Sequence, residues 1–347
     1  MGHVHYNKMK NIFDYATKEL SQDAFLCWLF ENYECDNEVV KRVALGLLGD
    51  FNDIEIADGE ISYLKTYRQL KKMDIVVRFV CNKQDYMTVI EDKTSSDVHD
   101  DQLQRYARRL ERDDSLVEGN PKVSKVFYKT DEDNGTSIDD GWKEYYIDQI
   151  CKLFEKYMSG AASSNSEILD GYYKHIIEIQ KKTSDVSSEP LMCWDYYNFR
   201  TYFKKVIIPN SNVDGCEIVY PGWYGYPSVI IKRFLPEKSC CIELEVMAKE
   251  YYKSFSFLIR AKHIESTTNP NGTIKQIETP LKLRERKDLR DVLCKDSRLA
   301  GRVRRDWKWA IAGDSKMFDD KVQYTGSINY INEELCGLIS HFASKAL

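Results

Sequence analysis

No apolar run in this 347-residue chain approaches the roughly 18–20 residues that a membrane-spanning helix requires. A protein built around membrane helices is therefore excluded as an expectation. The first ten residues, Met1 to Lys10, are polar and contain nothing like the apolar stretch of a secretory signal. The expected location is the cytoplasm, with no membrane partner. Paired cysteines are missing too. The ten cysteines (Cys27, Cys35, Cys81, Cys151, Cys193, Cys216, Cys240, Cys241, Cys294 and Cys336) are scattered and form no C-x-x-C pair. That argues against a structural zinc site, and without an export signal it argues against a disulfide framework. Small buried thiols are the expectation. No G-x-x-x-x-G-K-[ST] run exists, so the chain carries no phosphate loop for an intrinsic ATPase. No internal repeat is visible.

An overall positive charge is also lacking. The formal net charge is −5, which by itself speaks against phosphate contacts. A local basic surface matters more than the total. Lys282 to Lys308 holds eleven Lys or Arg against five Asp or Glu. It reads either as a solvated helix of mixed charge or as a surface tracking a nucleic-acid backbone, with Trp307 or Trp309 available for stacking.

What is present is the profile of a globular chain able to bury a core: 43% hydrophobic and 30% charged residues. Two Ser-rich stretches, Ser159 to Ser166 and Thr183 to Pro190, have loop composition. The second is the expected boundary, giving a first domain over 1–182 and a second over 190–347. In the first, Asn11 to Tyr33 reads as helix, broken near Ser21. Ser21 suits an N-cap there, with Asp23 in the first turn and an apolar face of Phe25, Leu26, Leu29 and Phe30. Gln22 and Asp23 are expected at the cap or surface. Met73 to Val80 and Tyr86 to Glu91 read as strands joined by a polar turn. Asp100 to Arg112 reads as helix, Lys125 to Lys129 as a short buried strand, and Ile168 to Gln180 as helix. The order predicts an α/β fold, a mixed central sheet flanked by helices. In the second domain, Val206 to Pro209, Glu217 to Tyr220, Ser228 to Phe234, Cys241 to Val246 and Ser254 to Ile259 read as strands. Leu283 to Arg305 and Ile331 to Ala346 read as helices. This is a C-terminal α+β region.

The chemistry concentrates on two strands. Asp74 lies at the start of the first. Glu91 and Lys93 end the second, and because side chains alternate they face one side while Asp92 faces the other. If the strands pair, Asp74 approaches Glu91. Two carboxylates and an ammonium at one point suit phosphodiester hydrolysis. Mg²⁺ takes one or two carboxylates and keeps several waters, and the backbone carbonyl of Asp92 offers a third oxygen. A metal there polarises a phosphoryl oxygen and acidifies a bound water. Lys93 either holds or helps deprotonate that water and stabilises developing charge.

Asp74, sixteen intervening residues, then Glu91-x-Lys93 resembles the PD-(D/E)XK nuclease superfamily, with Met73 where the proline would stand. Gln102-x-x-x-Tyr106 on the next helix resembles the Q-x-x-x-Y element of the RecB-like branch, its two side chains on one helix face. Glu19 resembles the first-helix glutamate of many members. The resemblance covers about residues 11–180. It implies a restriction-endonuclease-like fold, with Asp74, Glu91, Lys93, Gln102 and Tyr106 as catalytic residues. It further implies Mg²⁺ or Mn²⁺ held by Glu19, Asp74, Glu91 and the Asp92 carbonyl, with nucleic acid, DNA rather than RNA, as substrate. It implies a setting of restriction, repair or anti-phage defence, with a homo-oligomer or a partner protein of a defence system as further expectations. The competing readings are a catalytically silent nuclease-fold binding or assembly module in a defence complex, and hydrolysis of a smaller phosphate ester. His99, beside Asp97, Asp100 and Asp101, reads as a loop histidine, and His175 and His341 as structural.

Overall fold

The computed structural model describes residues 11–14, 19–94, 102–112, 119–133, 138, 141–160, 164–186, 194–221, 227–235, 240–249, 254–268, 274–280, 310–313 and 328–344. His99 and its acidic neighbours, the Lys282–Lys308 run and the helix expected over Leu283 to Arg305 lie outside them. The chain divides into two compact units, 1–181 and 182–347.

Unit 1 is a mixed α/β structure. After a short 3-10 turn, Ile12–Asp14, come helix α1 (Glu19–Glu31) and helix α2 (Glu38–Asn52). Strands β1 (Ile61–Leu70), β2 (Met73–Cys81) and β3 (Gln84–Lys93) then form an antiparallel meander. Helix α3 (Gln102–Arg112) precedes β4 (Lys122–Lys129), which pairs parallel with β3. The short β5 (Lys143–Tyr145) pairs parallel with β4. Helices α4 (Ile147–Met158) and α5 (Glu167–Ser184) come next. The five strands lie in chain order.

The two hairpins of the meander leave no slack. Leu70 pairs with Met73 and Cys81 with Gln84, so each turn has two central residues. Lys71 and Lys72 have φ 54° and 70°, and Asn82 and Lys83 have φ 49° and 65°. Positive φ at both central positions is what the mirror-image hairpin turns require, because their twist matches that of the strands.

β3 is buried from Tyr86 to Lys93, as befits a strand covered on both faces. On one face, Thr88 exchanges hydrogen bonds with Asn52 of α2. Tyr128 meets Phe51 edge-on and shares a hydroxyl–hydroxyl bond with Tyr172 of α5. On the other, Met87, Val89 and Phe127 pack against Leu103, Tyr106 and Leu110 of α3. Burial of these apolar side chains, each about 1.5–3 kcal/mol, fixes the parity of β3 and hence which residues reach which side.

The structure corrects several expectations. α1 runs unbroken from Glu19 through Ser21. α2 and β1 were not anticipated. α2 starts on Asn37, whose side chain accepts from the Val39 and Val40 amides, and ends at Asp53 in the left-handed region, φ 53°. In unit 2, the segment read as a strand over Val206 to Pro209 is helical. α6 (Tyr196–Tyr202), capped by Asp195, continues into a π-helical turn, Phe203–Ile207, closed by the Ile208 amide donating to the Phe203 carbonyl at 2.9 Å. A capped helix carries its hydrogen-bond ladder forward and overrides the β preference of Val206 and Ile207.

Unit 2 otherwise holds an antiparallel sheet of β6 (Cys216–Val219), β7 (Ser228–Leu235), β8 (Cys240–Lys249), β9 (Ser254–Thr268) and β10 (Ile274–Pro280). These run in the order β10-β9-β8-β7-β6, with β11 (Ala310–Gly313) also on β9. Helix α7 (Ile328–Ser344) packs Leu335, Leu338, Ile339 and Phe342 into a core with Trp194, Phe199, Val229 and Leu244. The described cysteines are all free thiols. Among the described residues no helix is long and apolar enough to cross a membrane.

Candidate functional site

Antiparallel pairing sets Ile75 against Ile90 and Val76 against Val89, so the next step along the ladder brings Asp74 opposite Glu91. Two residues further, Lys93 turns to the same side. Lys93 Nζ makes a close ion pair with Glu91 Oε1, lies 3.8 Å from Asp74 Oδ2 and 3.9 Å from Glu19 Oε2 of α1, and donates to the Asp92 carbonyl at 3.1 Å. Asp74 Oδ2 accepts from the Asp92 amide at 3.2 Å, and Asp74 Oδ1 from Gln69 Nε2 at 3.2 Å. Asp74, Glu91, Lys93 and Glu19 therefore meet at one point.

Three carboxylates face one ammonium there, a surplus of two negative charges. Glu91 is 0% exposed, with the Lys93 ammonium as its ion-pair partner. Burial raises its carboxyl to about 8, with Asp74 adding to the rise and Lys93 opposing it. Burial works against the charge of Lys93, but Glu91, Glu19 and Asp74 outweigh it and raise the ammonium above its ordinary value. Both directions are consistent: with three acids around one cation, the ammonium keeps its proton and the most buried acid gains one.

Gln102 Nε2 donates to the Tyr106 hydroxyl at 3.1 Å. Burial, then the charges of Glu91 and Asp74, push that hydroxyl well above its usual value. Gln102 thus reaches the site through Tyr106; its described hydrogen bond is to that hydroxyl and not to Lys93.

Asp92 points the other way, into the face covered by α1. Gln22 Nε2 makes a close hydrogen bond to Asp92 Oδ1 and donates to the Lys93 carbonyl at 3.3 Å, while Thr130 Oγ1 donates to Gln22 Oε1 at 2.8 Å. The Thr130 amide also donates to the Lys93 carbonyl, at 3.0 Å. Asp23 stands beside Asp92, with Arg68 Nη2 4.0 Å from Asp23 Oδ2. Burial holds Asp92 well above the carboxylate range and, with Asp74, raises Asp23 to about 6. A proton shared by this pair spares the interior a second carboxylate charge. The expectation of Gln22 and Asp23 at the cap or surface is corrected: both are buried. A signal was available. Gln22 precedes Phe25, Leu26, Leu29 and Phe30 by 3, 4, 7 and 8 residues, the spacing of one helix face.

The fit to a divalent cation can be weighed from these residues. The excess of acids over the single ammonium is what a cation would offset. No group of three or more His, Cys, Asp or Glu among the described residues is arranged to hold a metal ion. Two carboxylates, Asp74 and Glu91, beside the Asp92 carbonyl match in number and type the protein ligands of an ion that takes one or two carboxylates and retains water. Comparison with protein-family models, curated proteins and solved structures finds no match.

Proposed function

We propose that unit 1 is a divalent-metal-dependent nuclease with a restriction-endonuclease-like fold of the PD-(D/E)XK type, hydrolysing phosphodiester bonds of DNA in the cytoplasm. Restriction or anti-phage defence is the setting this reading gives it. The observation that carries the reading is the meeting of Asp74, Glu91 and Lys93 at the adjoining ends of two paired strands, with Glu91 buried.

Asp74 and Glu91, with the Asp92 carbonyl and Glu19 nearby, are the groups that would hold Mg²⁺ or Mn²⁺. Such an ion supplies Lewis-acid polarisation of a phosphoryl oxygen and a more acidic water. Lys93, kept protonated by its acidic neighbours, acts as a charged donor to the phosphate oxygens in the transition state. The Tyr106 hydroxyl, equally reluctant to give up its proton, is a second donor on the same side, oriented by Gln102. Gln22 and Thr130 hold the Lys93 carbonyl from behind and so fix the strand end that presents the ammonium.

Purified protein incubated with Mg²⁺ or Mn²⁺ and mixed linear, circular and single-stranded DNA tests the reading. The expected result is cleavage that EDTA abolishes and that Lys93→Ala lowers by at least about 10²–10³-fold, the usual cost of removing a transition-state donor. Well-folded wild-type protein that cleaves none of these substrates with either metal would overturn it.

A further inference from the structure

Backbone strain gathers at the turn beside the site. Gln69, Lys71 and Lys72 have φ of 54°, 54° and 70°, in the left-handed region that side chains other than glycine, asparagine and aspartate seldom adopt. The Lys72 amide donates to the Gln69 carbonyl at 3.3 Å. Asn-Gly suits such a two-residue turn far better than Lys-Lys. Both lysines are exposed, so core packing does not explain them.

The turn is tied to the site from two directions. Arg109 Nη1 of α3 donates to the Lys71 carbonyl at 2.7 Å, and its guanidinium carbon lies 5.9 Å from the centre of the Tyr106 ring. Gln69 donates to Asp74. Arg105 and Arg109, four residues apart, share the flank of α3 that carries Gln102. The sequence of α3 holds four Arg and one Glu, in a chain whose net charge is −5.

We infer that Lys71, Lys72, Arg105 and Arg109 form a cationic lip that grips the phosphodiester backbone of a nucleic acid next to the bond held at Asp74 and Glu91. The inference rests on the nuclease reading and adds to it the residues that hold the substrate. Two exposed lysine charges stand in the turn beside the site, and Arg109 seats the turn so that its position relative to Tyr106 is fixed. The hairpin turn at the other end of β2, Asn82–Lys83, has the same geometry and lies away from the site, so it serves as the internal control.

Binding is measured by fluorescence anisotropy in EDTA, with a short labelled DNA duplex and its separated strand, across a salt series. In Lys71→Asn/Lys72→Gly the plot of log K against log salt should flatten by about 1.8 for the duplex, about 0.9 per lost phosphate contact, or by about 1.4 for the single strand. The thermal midpoint should stay equal or rise, because the turn relaxes. Lys83→Gly should leave the salt slope unchanged. A slope unaltered in the double variant overturns the inference, as does wild-type protein that binds neither form at low salt. Should the double variant fail to fold, Lys71→Gln/Lys72→Gln removes the charges alone and carries the same expectation. Because EDTA suppresses cleavage, protein that binds through the lip and never cuts would sink the catalytic reading and leave this one standing.

Discussion

Glu91 shows how one residue links stability to the chemistry proposed for it. Its carboxyl rises from 4.5 to about 8 on folding, mainly through burial. A raised folded pKa means the native state binds the proton more tightly than the unfolded chain does. The contribution of Glu91 is fully present below about pH 4.5 and is lost as pH climbs to about 8. In EDTA, wild-type protein should therefore lose stability relative to Glu91→Gln across that window, by up to about 5 kcal/mol in total. Urea denaturation of both proteins at several pH values checks this, and parallel stability-against-pH curves would refute it. Added Mg²⁺ should raise the wild-type midpoint most at the alkaline end, where the carboxylate is free of its proton, and should raise that of Glu91→Gln less. At this scale the sequence was informative. Alternation along β3 assigned Glu91 and Lys93 to one side and Asp92 to the other, and the geometry agrees. The protonation states were not legible, because they depend on how many acids from α1, β2 and β3 crowd a single ammonium.

At the scale of elements, α1 matters through a polar pair on an otherwise apolar face. Gln22→Leu replaces one good helix former by another and adds apolar burial of about 1–2 kcal/mol. It also removes the donor to the buried Asp92 and to the Lys93 carbonyl, and the acceptor of Thr130. Unsatisfied buried partners cost about 1–3 kcal/mol each, so the loss prevails. The expected outcome is a net destabilisation of about 1–3 kcal/mol, with a fall in cleavage rate at saturating DNA larger than any change in DNA affinity. A variant as stable and as active as wild type would remove Gln22 from its positioning role. The element order of β2, β3, α3 and β4 was readable because strand alternation, turn residues and helix spacing agreed there. α2 was overlooked although Asn37 caps it and Val40, Val43, Ala44, Leu47 and Leu48 are buried. β1 was overlooked because its exposed polar residues break the alternation, and its pairing comes from β2. The β-branched pair Val206 and Ile207 misled for the converse reason, since the preceding helix decided their conformation.

For the molecule as a whole, each unit has its own sheet and its own core. A chain ending at Ser184, the last residue of α5, is expected to unfold in a single cooperative thermal transition and to retain metal-dependent cleavage. Circular dichroism and the DNA assay measure the two properties. Absence of a cooperative transition would show that unit 1 needs unit 2 in order to fold. The content of unit 2 was the least legible part. Strands near 217–220, 228–234 and 241–246 declared themselves by composition, but β10 and β11 form only by pairing with the long β9, and such distant pairing leaves little local trace.

The turn at Asn82–Lys83 acts as a ruler for a centre assembled at the opposite end of the same strands. From that turn, β3 counts off its residues until Glu91 faces the other acids and Lys93 joins it, with Asp92 tucked against Gln22 between them. Lengthening the turn by one residue and letting β3 slide would exchange the two acids, setting Asp92 beside Asp74 and driving Glu91 and Lys93 under α1. Nothing near the centre would have been altered, yet its composition would be reversed, so tolerance of length changes should be lowest at a loop far from the acids and the ammonium it aligns.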